Sequence, residues 1–93
     1  MYKDVTKYSR DSKERKPRIL ENNVNGIMFI VHKRIYYGDQ WFLTCRELDI
    51  EQEQLHTEDM EEAKKFGIER MRELLNRKVE KFKRAIEQLD KIE

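Results

Sequence analysis

One cysteine, Cys45, stands alone in 93 residues, so no disulfide can close within the chain. A reducing compartment suits such a chain, and packing alone must hold it together. One proline, Pro17, leaves everything after it free to run as strand or helix without a forced break. Three glycines suffice for two turns and one close contact, but not for a glycine-rich phosphate loop. No apolar run approaches the roughly 20 residues of a membrane span. The N-terminal stretch MYKDVTKYSRDSKERKPR is basic but has no apolar core behind it, so it lacks the form of a signal peptide. These absences together place the expected location in the cytoplasm.

What is present is charge. Charged residues make up 42% of the chain against 38% hydrophobic, with a mean hydropathy of −1.00. That is lean for a monomeric core, and a chain of this size has little stability in hand. The apolar residues are nevertheless clustered and periodic, which excludes pure disorder. Net charge is +1, unevenly spread. Residues 1–18 carry seven Lys or Arg against three acids, 19–57 three against six, and 58–93 ten against ten. The expected organisation is a basic flexible arm, 1–18, followed by one α+β domain over 19–93, with a sheet in 19–57 and a long helix in 59–92.

The arm offers little to bury. It reads as loosely attached chain, or as a contact for nucleic acid or an acidic partner through Lys3, Lys7, Arg10, Lys13, Arg15, Lys16 and Arg18, with Tyr2 and Tyr8 as stacking surfaces. Ile19 to Val24 is a short candidate strand ending at Asn25-Gly26, a dipeptide that tolerates the positive φ of a tight turn. In the run that follows, Ile27, Phe29 and Val31 share one face and Met28 and Ile30 the other. Apolar residues on both faces predict a central strand. His32, Lys33 and Arg34 mark its exit to solvent. After a turn at Gly38-Asp39-Gln40, Trp41 to Arg46 returns, with Trp41, Leu43 and Cys45 opposite Phe42 and Thr44. Ile50 to Leu55 alternates simply, Ile50, Gln52 and Gln54 against Glu51, Glu53 and Leu55, and predicts a third, edge-like strand whose glutamates discourage aggregation.

Asp59-Met60-Glu61-Glu62 has the form of a capping box, with Asp59 as N-cap and Thr57 as rival. From there to Ile92 no proline intervenes. Up to Leu75 the apolar residues form a broad face suited to a sheet. Beyond it they narrow to Leu75, Val79, Phe82, Ile86 and Leu89, in steps of four, three, four and three, which is heptad spacing. A helix of about 33 residues is roughly 50 Å long, whereas a strand of six to ten residues spans only about 20 to 34 Å. The sheet cannot cover such a helix. The stripe is therefore expected to meet another chain, a second copy or a different protein, unless the helix breaks near Asn76.

Catalytic groups are not apparent. His32 and His56 lie far apart, with no Cys or carboxylate at ligand spacing beside both. Cys45 reads as a small buried hydrophobe, and Glu51/Glu53 and Glu61/Glu62 as ordinary surface acids. The basic cluster Arg77, Lys78, Lys81, Lys83 and Arg84 reads as the solvated flank of a helical interface rather than a phosphate track. Neither a cofactor nor a metal is expected, and neither is enzymatic activity.

The segment from Trp41 to Ala63 resembles the HicB-like antitoxin family, in which "W-x-x-x-C-P-E-L-G" precedes "G-D-T-x-E-E-A". Trp41, Cys45, Glu47, Leu48, Glu61, Glu62 and Ala63 fall on matching positions, while Arg46, Asp49 and Asp59 replace the Pro, Gly and Thr. The resemblance implies a β-β-β-α fold: a three-stranded antiparallel, partial ribonuclease-H-like sheet with one long C-terminal helix. It also implies a non-catalytic oligomeric protein that sequesters an RNA-cleaving toxin. Two other expectations stand beside it: an inhibitor from a phage or mobile element that blocks a host nuclease or defence complex, and a small nucleic-acid-binding protein using the basic arm. A homodimer through the C-terminal helix is expected.

Overall fold

Asn25-Gly26 makes the first hairpin of the fold. Both residues have positive φ, 53° and 86°, as the two-residue turn that matches strand twist requires. Strands β2 (Ile19–Val24) and β3 (Ile27–Lys33) therefore pair antiparallel, with Val24 opposite Ile27 and Leu20 opposite Val31. A 3₁₀ turn at Ile35–Tyr37 leads into β4 (Trp41–Cys45), which lies on the other side of β3. A second short turn, Arg46–Leu48, leads to β5 (Ile50–Gln54) on the far side of β4. Helix α1 (Met60–Asp90) closes the chain. The computed structural model describes residues 1–8 and 16–92.

The sheet has five strands, ordered β1-β2-β3-β4-β5, rather than the three expected. Ile19–Val24 is a full member, and a two-residue strand, β1 (Lys3–Asp4), lies outside it. Lys3–Asp4, within the expected basic arm, thus form one edge of the sheet. Thr6 is the clasp: its hydroxyl oxygen accepts the backbone N–H groups of Arg18 (2.8 Å) and Ile19 (3.0 Å). Val5 N–H donates to the Ile19 carbonyl at 2.9 Å. Two charged residues cannot show the alternation by which a strand is recognised.

One face of the sheet carries the core. Leu20, Phe29, Val31, Trp41, Leu43, Cys45 and Leu55 pack with Ala63 and Met71 of α1. The expected faces of β3 and β4 are those observed, and β3 is the central strand. In β5 the simple alternation fails. The register slips between Leu43 and Cys45, and Gln52 has a φ of 52°. One extra residue in a strand reverses the side-chain sense beyond it. Ile50, expected opposite Leu55, therefore joins it against the core.

The helix lies close to the sheet because Gly67 has no side chain. A Cβ there would stand 2.6 Å from Val31 Cγ2 and 2.8 Å from the Tyr2 hydroxyl. That hydroxyl donates to the Lys64 carbonyl at 2.8 Å, and the Tyr2 ring meets the Phe29 ring edge-on at 5.8 Å. Gly67→Ala gains about 1 kcal/mol in helix propensity, but it forces a methyl against a fully buried Val31, where overpacking costs about 1–3 kcal/mol. Urea unfolding of Gly67→Ala should therefore show a net loss of stability. Trp41→Ala, which empties the largest fully buried side-chain position, should cost more, about 3–5 kcal/mol.

Candidate protein-binding surface on the outer half of the helix

Helix α1 begins at a cap built from both expected rivals. Asp59 is the N-cap, its carboxylate accepting the Glu62 N–H at 2.9 Å. The Glu62 carboxylate does not return to the Asp59 N–H. It accepts from the Thr57 hydroxyl at 3.2 Å, and Thr57 Oγ1 accepts the Asp59 N–H at 3.1 Å. The Glu62 N–H is thus satisfied by Asp59 directly and the Asp59 N–H by Thr57, whose own hydroxyl is taken up by Glu62.

The helix then runs unbroken for 31 residues, about 46 Å at 1.5 Å per residue. Strands β2 to β5 have five to seven residues each, about 17–24 Å. The molecule accordingly measures 66 × 24 × 20 Å. The buried residues of α1 are Ala63, Gly67 and Met71, all in its first half. Leu74 and Leu75 are the last that touch the core. Past them Val79 is 48% exposed, Phe82 61%, Ile86 59% and Leu89 63%. Of the expected stripe, Val79, Phe82, Ile86 and Leu89 are exposed in unbroken order, while Leu75 packs against the core.

Heptad positions follow from the spacing. Val79 and Ile86 occupy a; Leu75, Phe82 and Leu89 occupy d. Two further columns run along the outer half. Glu73, Glu80 and Glu87 each stand four residues before Arg77, Arg84 and Lys91, the favourable orientation for helix-stabilising pairs worth about 0.2–0.5 kcal/mol each. Glu73 and Arg77 form such a pair at 3.1 Å. An isolated helix of about 15 residues is marginal in water because nucleation is costly. Here the anchored first half has already met that cost, and the charged columns support what projects.

Energetics define what the stripe can do. Full burial of a large aliphatic or aromatic side chain is worth about 1.5–3 kcal/mol, so covering these half- to two-thirds-exposed groups returns about 1–2 kcal/mol each. Association costs about 4–15 kcal/mol. With a matching group on the partner, one layer returns about 2–4 kcal/mol and falls short of most of that range, whereas four layers return about 8–16 kcal/mol and can meet it. The stripe therefore works as a unit.

Other expected site residues lie elsewhere. Lys3, Lys7, Lys16 and Arg18 are exposed along the β1–β2 edge; Arg10, Lys13 and Arg15 fall outside the described residues. Tyr2 links that edge to α1 at Lys64 and beside Gly67, in the first half of the helix and away from the stripe. Cys45 is buried. Glu53, expected to be a surface acid, faces α1 and takes Arg70 in a two-pronged pair at 2.8–3.1 Å. Among the described residues no cluster of His, Cys, Asp and Glu is placed to hold a metal ion, and no helix is long and apolar enough to cross a membrane. No family model, curated protein or solved structure matches the chain.

His32 departs from its reading as a strand-end surface residue. It is nearly buried on the helix-free face of the sheet, beside Phe42, whose ring also meets Tyr37 at 5.8 Å. The neutral Nδ1–H tautomer satisfies every group. Thr44 Oγ1 accepts the Gln52 N–H at 3.0 Å and donates to His32 Nε2 at 2.8 Å, while Nδ1–H points to the Lys33 carbonyl at 3.4 Å. Burial holds this imidazole below its ordinary 6.5; the Lys33 carbonyl opposes the shift and the Arg34 charge adds to it. A histidine whose folded pKa is depressed binds fewer protons folded than unfolded, so stability falls as pH drops below about 6.5. The melting temperature should decline between pH 7.5 and 5.5, and His32→Gln should flatten that decline.

Proposed function

We propose that this chain is a non-catalytic binding module that sequesters a partner protein, holding it through the outer half of α1. The observation that carries this reading is the unbroken helix that leaves Val79, Phe82, Ile86 and Leu89 exposed in heptad order beyond the sheet. Scattered apolar residues on a surface need no explanation, but a contiguous stripe on a projecting element does. Aromatic and large aliphatic anchors with a charged border are the usual make-up of a helical recognition face.

The resemblance to HicB-like antitoxins supports the same reading and suggests an RNA-cleaving toxin as the partner class. Its matching residues serve the platform: Trp41 and Cys45 are buried in the core, the Trp41 indole N–H donates to the Glu58 carbonyl at 3.2 Å, and Glu62 and Ala63 complete the helix start. The platform is a meander of five strands, broader than the family's three. On it the helix is the element that reaches outward, and partner choice is assigned to that element.

Phe82→Asp tests this directly. The side chain has no role in the core, so its melting temperature should stay within about 2 °C of wild type, as for an exposed substitution. Partner capture from the native host should fall by about 100-fold or more, the loss expected for a central anchor. Equal capture by wild type and variant, compared at equal concentration, would refute the assignment.

A further inference from the structure

We infer that the outer stripe receives an amphipathic helix of a different protein whose apolar face is bordered by glutamates or aspartates, rather than a second copy of this chain. The inference rests on the binding-module reading and identifies the partner's chemistry.

The border residues decide it. With Val79 and Ile86 at a and Leu75, Phe82 and Leu89 at d, the e positions are Asn76, Lys83 and Asp90 and the g positions Lys78, Ala85 and Ile92. Between Leu75 and Ile86 the only charged border residues are thus lysines, one on each side of the stripe. Lys83 is exposed, and Lys78 is partly exposed. The acids Glu73, Glu80 and Glu87 stand one position further round, facing the basic column behind them.

Self-pairing meets this border badly in each register that covers all four exposed layers, Val79, Phe82, Ile86 and Leu89. In a parallel pair each g residue faces the e residue five positions on in the other helix. Lys78 would face Lys83 of the other copy, twice by symmetry, and Ala85 would face Asp90. An antiparallel pair that uses all four exposed layers sets Val79 opposite Leu89 and Phe82 opposite Ile86, and then Lys83 meets Lys83 of the other copy across the axis. Sliding that pair until Lys83 reaches Asp90 leaves only the Ile86 and Leu89 layers in contact. Sliding it the other way, with Val79 opposite Phe82 and Leu75 opposite Ile86, separates the lysines but leaves Leu89 uncovered and sets Lys83 opposite Asn76 and Lys78 opposite Ala85, so neither lysine gains a carboxylate.

A helix carrying acids at its e and g positions has no such conflict. It covers all four layers and sets carboxylates opposite Lys78 and Lys83 in either direction. Val and Ile at a with Leu and Phe at d further suit a two-stranded parallel pair. Charges of this kind contribute partner choice more than raw affinity, which is the property a sequestering protein needs.

The test uses the full chain and two labelled synthetic peptides of four heptads. Both have Ile at a and Leu at d; one has Glu at every e and g position, the other Lys. Fluorescence anisotropy at low salt should show the Glu peptide binding about 10-fold or more tighter than the Lys peptide. That gap should close near 1 M salt, where the Debye length is about 3 Å. The double variant Lys78→Glu/Lys83→Glu should invert the preference, and Phe82→Asp should bind neither. Equal binding of the two peptides, abolished by Phe82→Asp, overturns the acidic border while leaving the stripe as an interface. No binding of either peptide to wild type overturns both readings. Sedimentation velocity showing a stable wild-type dimer at micromolar concentration overturns the inference in favour of a second copy.

Discussion

The seat of α1 on β3 at Gly67 is the contact on which the rest depends. With no Cβ in the way, the helix backbone comes within reach of Val31 and of the Tyr2 hydroxyl. Tyr2 then links β1 to the Lys64 carbonyl, so one contact joins the first strand, the central strand and the helix. The burial of Ala63, Gly67 and Met71 anchors the first turns of α1. Because the helix is nucleated there, each later residue need only propagate it. The projecting half thus exists by virtue of the seated half.

Much of this was legible in the residues themselves. Asn25-Gly26 announced a hairpin, the alternation in β3 and β4 set their faces, and the mismatch between helix and strand length predicted an uncovered stripe. What escaped has physical reasons. Lys3–Asp4 is too short and too charged to show periodicity, and its place depends on Thr6 and Tyr2 meeting residues far along the chain. Ile50 was placed on the wrong face because a bulge at Gln52 is invisible to a period-two count. His32 looked solvent-bound beside Lys33 and Arg34, yet Thr44 and Phe42 on the neighbouring strand enclose it. Each miss involves a partner distant in sequence, which pattern alone does not supply.

The residues of the platform and the residues of the stripe divide the molecule between them. Trp41, Cys45, Glu62 and Ala63 make a platform and a helix start. Val79, Phe82, Ile86 and Leu89, bordered by Lys78 and Lys83, make no contact with that platform's core. Changes in the outer half therefore leave the fold largely untouched, since nothing in the sheet packs on it. On the proposed binding-module reading, such an arrangement lets recognition vary while the scaffold stays constant.

The length of the projecting half makes the seat a fulcrum. From Gly67 to the end of α1 the rod extends about 34 Å at 1.5 Å per residue. A tilt of about 10° where the helix meets β3 would swing its tip by about 6 Å, slightly more than the 5.4 Å pitch of one helical turn. Small steric changes near Val31 or Tyr2, far from the tip, are thus magnified into a change in where the apolar stripe is presented.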